Sequence, residues 1–270
     1  MNLFLVEARR ALHRRAVWVL LGVAGLGIAA IAVVAFTDSA GIDTARLRAM
    51  GERHPAVMAD WWVAGTADGF LILPAVFLAL GGLIGGAVVA GGEWRAGTVG
   101  TVLTWEPRRW RLHAARLGAY AACAWVLAVA LQAVLLAALL PAALAHGSTS
   151  GTDSGWWLSL FGAMARIAAV AALAAVLGGA LATAGRATAA ALVGAGMWLA
   201  VGEPLLRAWR PGWGGHLVAE NVAVVITWGE LDGTVWSRAP VVALTVLAAY
   251  GLAAVALAGA SFARRDIGAV

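Results

Sequence analysis

Long runs without a charged residue limit what this chain can fold into. Four of them are 22 to 24 residues long and mostly apolar, at positions 16–37, 69–92, 117–140 and 240–263. A helix needs about 20 apolar residues to cross the hydrocarbon core of a membrane. We therefore expect four membrane-spanning helices, the third of which ends before Pro141.

Two further apolar runs, 160–184 and 187–206, contain one charged residue each. In the first of them, Arg166 lies 20 residues before Arg186. Twenty residues of helix rise about 30 Å, so these two arginines can lie at opposite faces of the membrane. In the second, Glu203 lies near the end of the run. A charge at either place avoids the cost of about 2.5–3.5 kcal/mol at the membrane midplane.

The six runs together predict an all-α integral membrane protein with a single transmembrane domain over 1–270. An even number of spans places both termini on the same side. Glu203 and Pro204 have two interpretations, a gate in the fifth span or a carboxylate that lies at the membrane interface beside a helix end.

The arginines predict the orientation. All 19 basic residues are arginine, and 12 of them fall on the side of the termini, against four acidic residues. The other side carries six arginines and ten acidic residues. Because positive residues accumulate in the cytoplasm, we expect both termini there, in a multi-pass protein of a bacterial plasma membrane. The uneven distribution of the arginines thus accounts for the basic charge as an orientation signal, and we expect no nucleic-acid partner.

Two segments outside the spans have helical patterns. Residues 2–15 place Leu5, Ala8 and Leu12 on one side and Glu7, Arg10 and Arg14 on another, which predicts an interfacial helix. In the outer loop 207–239, the apolar stretch Val222–Trp228 is too short to span a membrane. It favours a re-entrant or interfacial helix, with an ordinary folded loop as the alternative. Tryptophans at the ends of the other outer loops, such as Trp61 and Trp62, suit the headgroup region.

The residue types present exclude several kinds of chemistry. Without lysine the chain has no P-loop lysine for ATP phosphates and no Schiff base. Cys123 is the single cysteine, and no two histidines have the spacing of metal ligands on a helix. We expect neither an enzyme nor a metal site.

Small residues cluster in two of the spans. Gly81, Gly82, Gly85 and Gly86 form a Gly-xxx-Gly surface in the second span, and Gly178 and Gly179 lie in the fourth. Such surfaces favour close packing of helices, within one chain or between subunits.

The connection 93–111 between the second and third spans has an unusual composition. Glu93 and Arg95 follow the second span, and Gly97 and Thr98 form a turn in which Thr98 can cap a helix that runs to Leu103. Three apolar side chains follow, which we expect to face a protein partner: Val99, Val102 and Leu103. Pro107 and Arg109 then precede the third span.

This connection resembles that of the ABC-2 type transporter permeases. The matching positions are Glu93, Arg95, Gly97, Thr98, Val102, Leu103, Pro107 and Arg109. Residues 262–266 resemble the usual ending of the family, whereas Trp94 and Ala96 replace residues that are commonly charged or polar there.

The resemblance implies the transmembrane subunit of an ABC exporter. Residues 97–104 would be the coupling helix that docks onto a separate ATPase subunit, which binds ATP and magnesium. The permease would pair with a second copy or a sister permease. Its substrate would be a hydrophobic or amphipathic compound, such as a drug, an antibiotic or a lipid-like molecule. We expect Glu93 and Arg95 to hold the coupling helix against the second span. A secondary transporter and a non-transport membrane assembly protein remain as alternatives.

Overall fold

The computed structural model describes residues 3–41, 52–229 and 238–264. Within these ranges the chain forms ten α-helices and no strand longer than an isolated bridge. The helices are α1 Leu3–Leu12, α2 Arg15–Ser39, α3 Ile72–Arg95, α4 Thr98–Trp105, α5 Arg109–Ala145, α6 Ser154–Gly185, α7 Thr188–Met197, α8 Glu203–Trp209, α9 Val218–Thr227 and α10 Pro240–Arg264. A π-helical turn, Trp198–Gly202, joins α7 to α8.

Six of these elements are long and apolar enough to cross a membrane: α2, α3, α5, α6, α10 and the continuous unit Thr188–Trp209. The prediction of six spans is therefore confirmed. The predicted end of the third span is wrong, because α5 continues through Pro141 to Ala145. Proline is tolerated in membrane helices where neighbouring groups satisfy the freed carbonyl. Ala142 and Ala143, which follow the proline, are buried against the rest of the bundle.

The closest helix pair is formed by α3 and α6. A Cβ atom at Gly82 would overlap the carbonyl of Ala171, and one at Gly86 would overlap the carbonyl of Ala175. From the other side, Gly178 lies against the carbonyl of Leu83. The predicted close packing at these glycines therefore occurs within the chain, and the absence of side chains lets the two backbones touch.

The ends of the helices sort into two groups, because successive spans run in opposite directions. The start of α2, the end of α3 and the start of α5 meet through ion pairs. The guanidinium of Arg186, at the end of α6, lies 5.4 Å from the ring of Trp94 in α3. The end of α10 meets the start of α5. We call this the arginine-rich end, and α1 packs across it against α5.

At the opposite end, the segment before α3 folds into the bundle. Trp61 and Trp62 are each only 1% exposed, so their rings pack inside the protein and do not face lipid headgroups. Each indole finds an acceptor: Trp61 Nε1 donates to the carbonyl of Pro55 at 2.7 Å, and Trp62 Nε1 to Ser159 Oγ at 2.9 Å. They are core residues that fix this segment to α6.

The last outer loop contains the predicted short helix. It is α9, which begins and ends earlier than Val222–Trp228 and buries Val224, Val225 and Ile226. The alternative of an ordinary folded loop is wrong for this stretch. Residues 230–237 of the same loop lie outside the described residues.

Candidate functional site

The connection after α3 folds into a separate short helix, α4. Gly97 has φ +65°, a left-handed conformation that glycine adopts without strain, and it forms the N-cap of α4. The expectation that Thr98 caps this helix is wrong: Thr98 is its first residue, and its hydroxyl donates to the carbonyl of Glu93 at 3.4 Å. The helix ends at Trp105 and not at Leu103. Its start is thus tied directly to the end of α3.

The apolar side of α4 faces the body of the protein. Val99 is 3% exposed and packs in a small cluster with Leu112 of α5 and Phe262 of α10. Val102 and Leu103 are half-buried against the same cluster. The expectation that Val99 is presented to a partner is therefore wrong. These side chains hold α4 in place.

The opposite side of α4 is open. Thr101 and Thr104 are exposed there, and Trp105 is 87% exposed. Among the exposed large apolar side chains of the described ranges, Trp105 is the most exposed. Sequence reasoning missed Trp105 because it assigned the apolar positions before it to the partner.

Glu93, on the last turn of α3, is the centre of a buried ion cluster. It is 2% exposed, and its carboxylate oxygens lie 2.7 Å from Arg116 Nη2, 3.2 Å from Arg14 Nη2 and 3.7 Å from Arg10 Nη2. Arg95 is not among its partners; it is exposed and donates to Thr188 Oγ1 at 3.4 Å. Glu93 and Arg95 do not pair with each other, because helix positions two residues apart point in different directions.

A second carboxylate completes the cluster. Glu7 of α1 is also buried, and it lies 3.1 Å from Arg10 Nη1 and 3.7 Å from Arg116 Nε. We call Glu7, Arg10, Arg14, Glu93 and Arg116 the Glu93 cluster. It joins α1, α3 and α5 and contains three positive and two negative charges, so that its net charge is +1. Buried charges are tolerated only when they are paired in this way.

The other two motif positions fix the last span. Arg109, in the first turn of α5, donates from Nη1 to the carbonyls of Phe262 at 3.3 Å and Ala263 at 3.1 Å. These carbonyls lie in the last turn of α10, where a cation is favourable. Pro107 lies in the extended turn that precedes α5. The remaining residues of the predicted family ending, Arg265 and Asp266, lie outside the described residues.

Glu203, the predicted gate residue, anchors α9. It is buried, and its carboxylate accepts hydrogen bonds from the backbone N–H groups of Val218 at 2.7 Å and Ala219 at 3.0 Å. The indole of Trp198 donates to it at 3.1 Å. Pro204 follows the π-helical turn and cannot donate to the preceding turn. A carboxylate at a helix N-terminus is stabilised by the unpaired N–H groups and the helix dipole.

Arg166 occupies the other end of α9. Its Nε and Nη2 each lie 3.4 Å from the carbonyl of Ile226, and its guanidinium lies 5.1 Å from the ring of Trp228 and 6.0 Å from that of Trp62. The two lone charges in the spans therefore bracket one short helix, negative at its N-terminus and positive at its C-terminus. Both compensate the dipole of α9.

Sequence reasoning also missed Gln132, because only charged residues were sought within the spans. Gln132 is buried in α5, and its Nε2 donates to the carbonyls of Ala128 at 3.1 Å and of Met164 in α6 at 3.2 Å. A neutral amide in an apolar span is itself a signal for a hydrogen bond between helices.

No protein-family model, no curated protein and no solved structure matches this chain.

Proposed function

We propose that this chain is the membrane-spanning permease subunit of an ABC exporter, with both termini in the cytoplasm of a bacterial cell. One observation carries the proposal. A short helix, α4, lies at the arginine-rich end, and its inner face packs against the bundle. Its outer face carries Trp105, which is 87% exposed. Such a helix suits the docking of a cytoplasmic ATPase subunit, which would bind ATP and magnesium.

The contacts around α4 give a route for force. A push on α4 passes to α3 through the hydrogen bond of Thr98 with the Glu93 carbonyl, and to α5 and α10 through the Val99 cluster. The Glu93 side chain passes the same displacement to α1. Movement of an ATPase would thereby bias the permease between two arrangements, provided that it contacts α4 differently in each.

The resulting roles differ by residue. Gly97 and Thr98 set the angle of α4, and Val102 and Leu103 seat it. Glu93 connects α3 to α1 and Arg109 connects α5 to α10, whereas Arg95 ties the end of α3 to α7.

We propose that the gate lies in the fifth span. There the π-helical turn Trp198–Gly202 and Pro204 interrupt regular hydrogen bonding, and π turns of this kind recur at functional sites. Glu203 would transmit the movement of this turn to α9, to whose N-terminus it is bonded.

The apolar surface of the spans supports the proposed substrate class and assembly. The bundle presents apolar side chains along most of its length, including Leu26, Phe77 and Leu252. We propose a hydrophobic or amphipathic substrate, such as a drug, an antibiotic or a lipid-like molecule. A second copy of the chain or a sister permease would complete the translocation path.

The test is a search of the neighbouring reading frames for an ATPase with a Walker motif, followed by reconstitution of that ATPase with this chain. We expect the two proteins to copurify and to accumulate a lipophilic dye in inverted vesicles in a vanadate-sensitive way. Trp105→Ala should abolish copurification, whereas Trp213→Ala, an exposed tryptophan at the opposite end, should leave it intact. Transport that needs no ATPase, or an ATPase that binds equally well to Trp105→Ala, would overturn the proposal.

A further inference from the structure

The surface of α1 holds a basic groove that the proposed function does not use. It is an open groove of about 490 Å³, lined by Val6, Arg9, Arg10, His13 and Arg14. We call it the α1 groove. Arg9 and His13 are exposed in it, and Arg10 and Arg14 are partly buried.

The charge in the α1 groove is not balanced. The acidic residues behind it, Glu7 and Glu93, are both 2% exposed and are already engaged by Arg10, Arg14 and Arg116 of the Glu93 cluster. Within the described part of the chain Arg9 has no acidic side chain in ion-pair distance. The cluster and Arg9 together carry four positive charges against two negative ones, so the groove favours an anion.

The groove lies at the level where the bundle becomes apolar. The carbonyl of Ala8 is 3.9 Å from the sulfur of Cys123, which is the seventh residue of the uncharged run 117–140 of α5. That position is only about 9 Å along the helix from the start of the run. A helix at this depth lies where phosphate headgroups meet acyl chains.

Apolar side chains flank the basic ones on the same exposed face. Leu5 and Leu12 are exposed on α1, and they share one side of the helix with Arg9 at i, i+4 and i+7 spacing. Trp18, exposed on the first turn of α2, lies next along the chain. A soluble phosphate compound would gain nothing from these side chains, whereas a lipid would cover them with its acyl chains.

We propose that the α1 groove binds the phosphate headgroup of an anionic phospholipid, with Arg9 and His13 as the groups that contact it from the open side. Because Arg10 and Arg14 line the groove and also hold Glu93, a bound lipid would brace α1 against α3. The inference needs only a membrane-spanning chain and does not rest on the proposed ATPase partner.

The experiment measures retention of phosphatidylglycerol and of phosphatidylcholine by the purified chain in detergent, with native mass spectrometry. We expect preferential retention of phosphatidylglycerol. Arg9→Gln should weaken it about fivefold, since one basic residue near an anionic surface contributes about 1 kcal/mol. Arg9 makes no contact within the Glu93 cluster, so this variant should fold normally. Arg108→Gln, which removes an exposed arginine from the same end, is the matched control.

The other outcomes overturn the proposal. Equal retention of the two lipids would show that the groove does not select an anionic headgroup. If Arg108→Gln loses as much phosphatidylglycerol retention as Arg9→Gln, the effect is one of general surface charge. Inorganic phosphate, titrated against chloride at equal ionic strength, is the remaining probe. If it displaces phosphatidylglycerol at micromolar concentration, the groove is a site for soluble phosphate and not for lipid.

Discussion

Replacement of Glu93 by glutamine tests the Glu93 cluster most severely. The substitution keeps the shape of the side chain but leaves Arg116, whose side chain is 11% exposed, without its closest partner at 2.7 Å. Removal of one member of a buried ion pair costs about 3–5 kcal/mol. The contacts with Arg14 and Arg10 involve partly exposed side chains and add at most about 1 kcal/mol. We expect Glu93→Gln to lower the free energy of unfolding by about 3–5 kcal/mol.

The assay is reversible unfolding in mixed detergent micelles, followed by tryptophan fluorescence. Glu106→Gln is the matched control, because it removes the same charge from an ion pair whose arginine, Arg111, is 59% exposed. Such a pair contributes about 0–1 kcal/mol. If Glu93→Gln is no less stable than Glu106→Gln, the Glu93 cluster does not hold α1, α3 and α5 together, and the route for force through it is wrong.

Three further changes probe the packing and the anchoring of α9. Gly86→Ala should destabilise the chain by about 1–3 kcal/mol, because the new Cβ atom overlaps the Ala175 carbonyl. Gly81→Ala is the control: its Cβ atom points into open space, so the variant should be neutral or mildly stabilising in the same unfolding assay. Glu203→Ala leaves two N–H groups of α9 without an acceptor, at a cost of about 1–3 kcal/mol. The rate of amide hydrogen exchange within α9 should therefore rise by roughly one to two powers of ten. Arg166→Met should raise exchange at the C-terminal end of α9 only; uniform protection in both variants would contradict the anchoring of the helix by these two charges.

The spans were predictable from the sequence because a single physical requirement decides them. A run of apolar residues must form a helix at least as long as the hydrocarbon core is thick, and charged residues must lie near the ends of that run. The same requirement led us to expect Arg166 and Glu203 near helix ends, but Arg166 lies twelve residues inside α6 and Glu203 six residues before the end of the unit Thr188–Trp209. What the sequence does not state is that both charges serve one helix, α9, since this depends on how the last outer loop folds back.

The contacts of Glu93 were not predictable in the same way. Arg95 is its nearest arginine in the chain, yet its partners are residues 10, 14 and 116. Local spacing cannot identify partners that lie on other helices. The two outer tryptophans at 61 and 62 show the same limit: their amphipathic character suits both a headgroup and a buried acceptor, and only the fold decides between them.

A photo-crosslinking amino acid at position 105 tests the central claim most directly. In membranes from cells that make the whole complex, the account predicts an adduct whose partner contains a Walker motif and whose yield changes when ATP and vanadate are added. The same amino acid at position 213, at the opposite end of the bundle, should give no such adduct. An ATPase adduct at 213 but not at 105, or none with an ATPase at either position, would contradict the assignment of α4 as the docking helix.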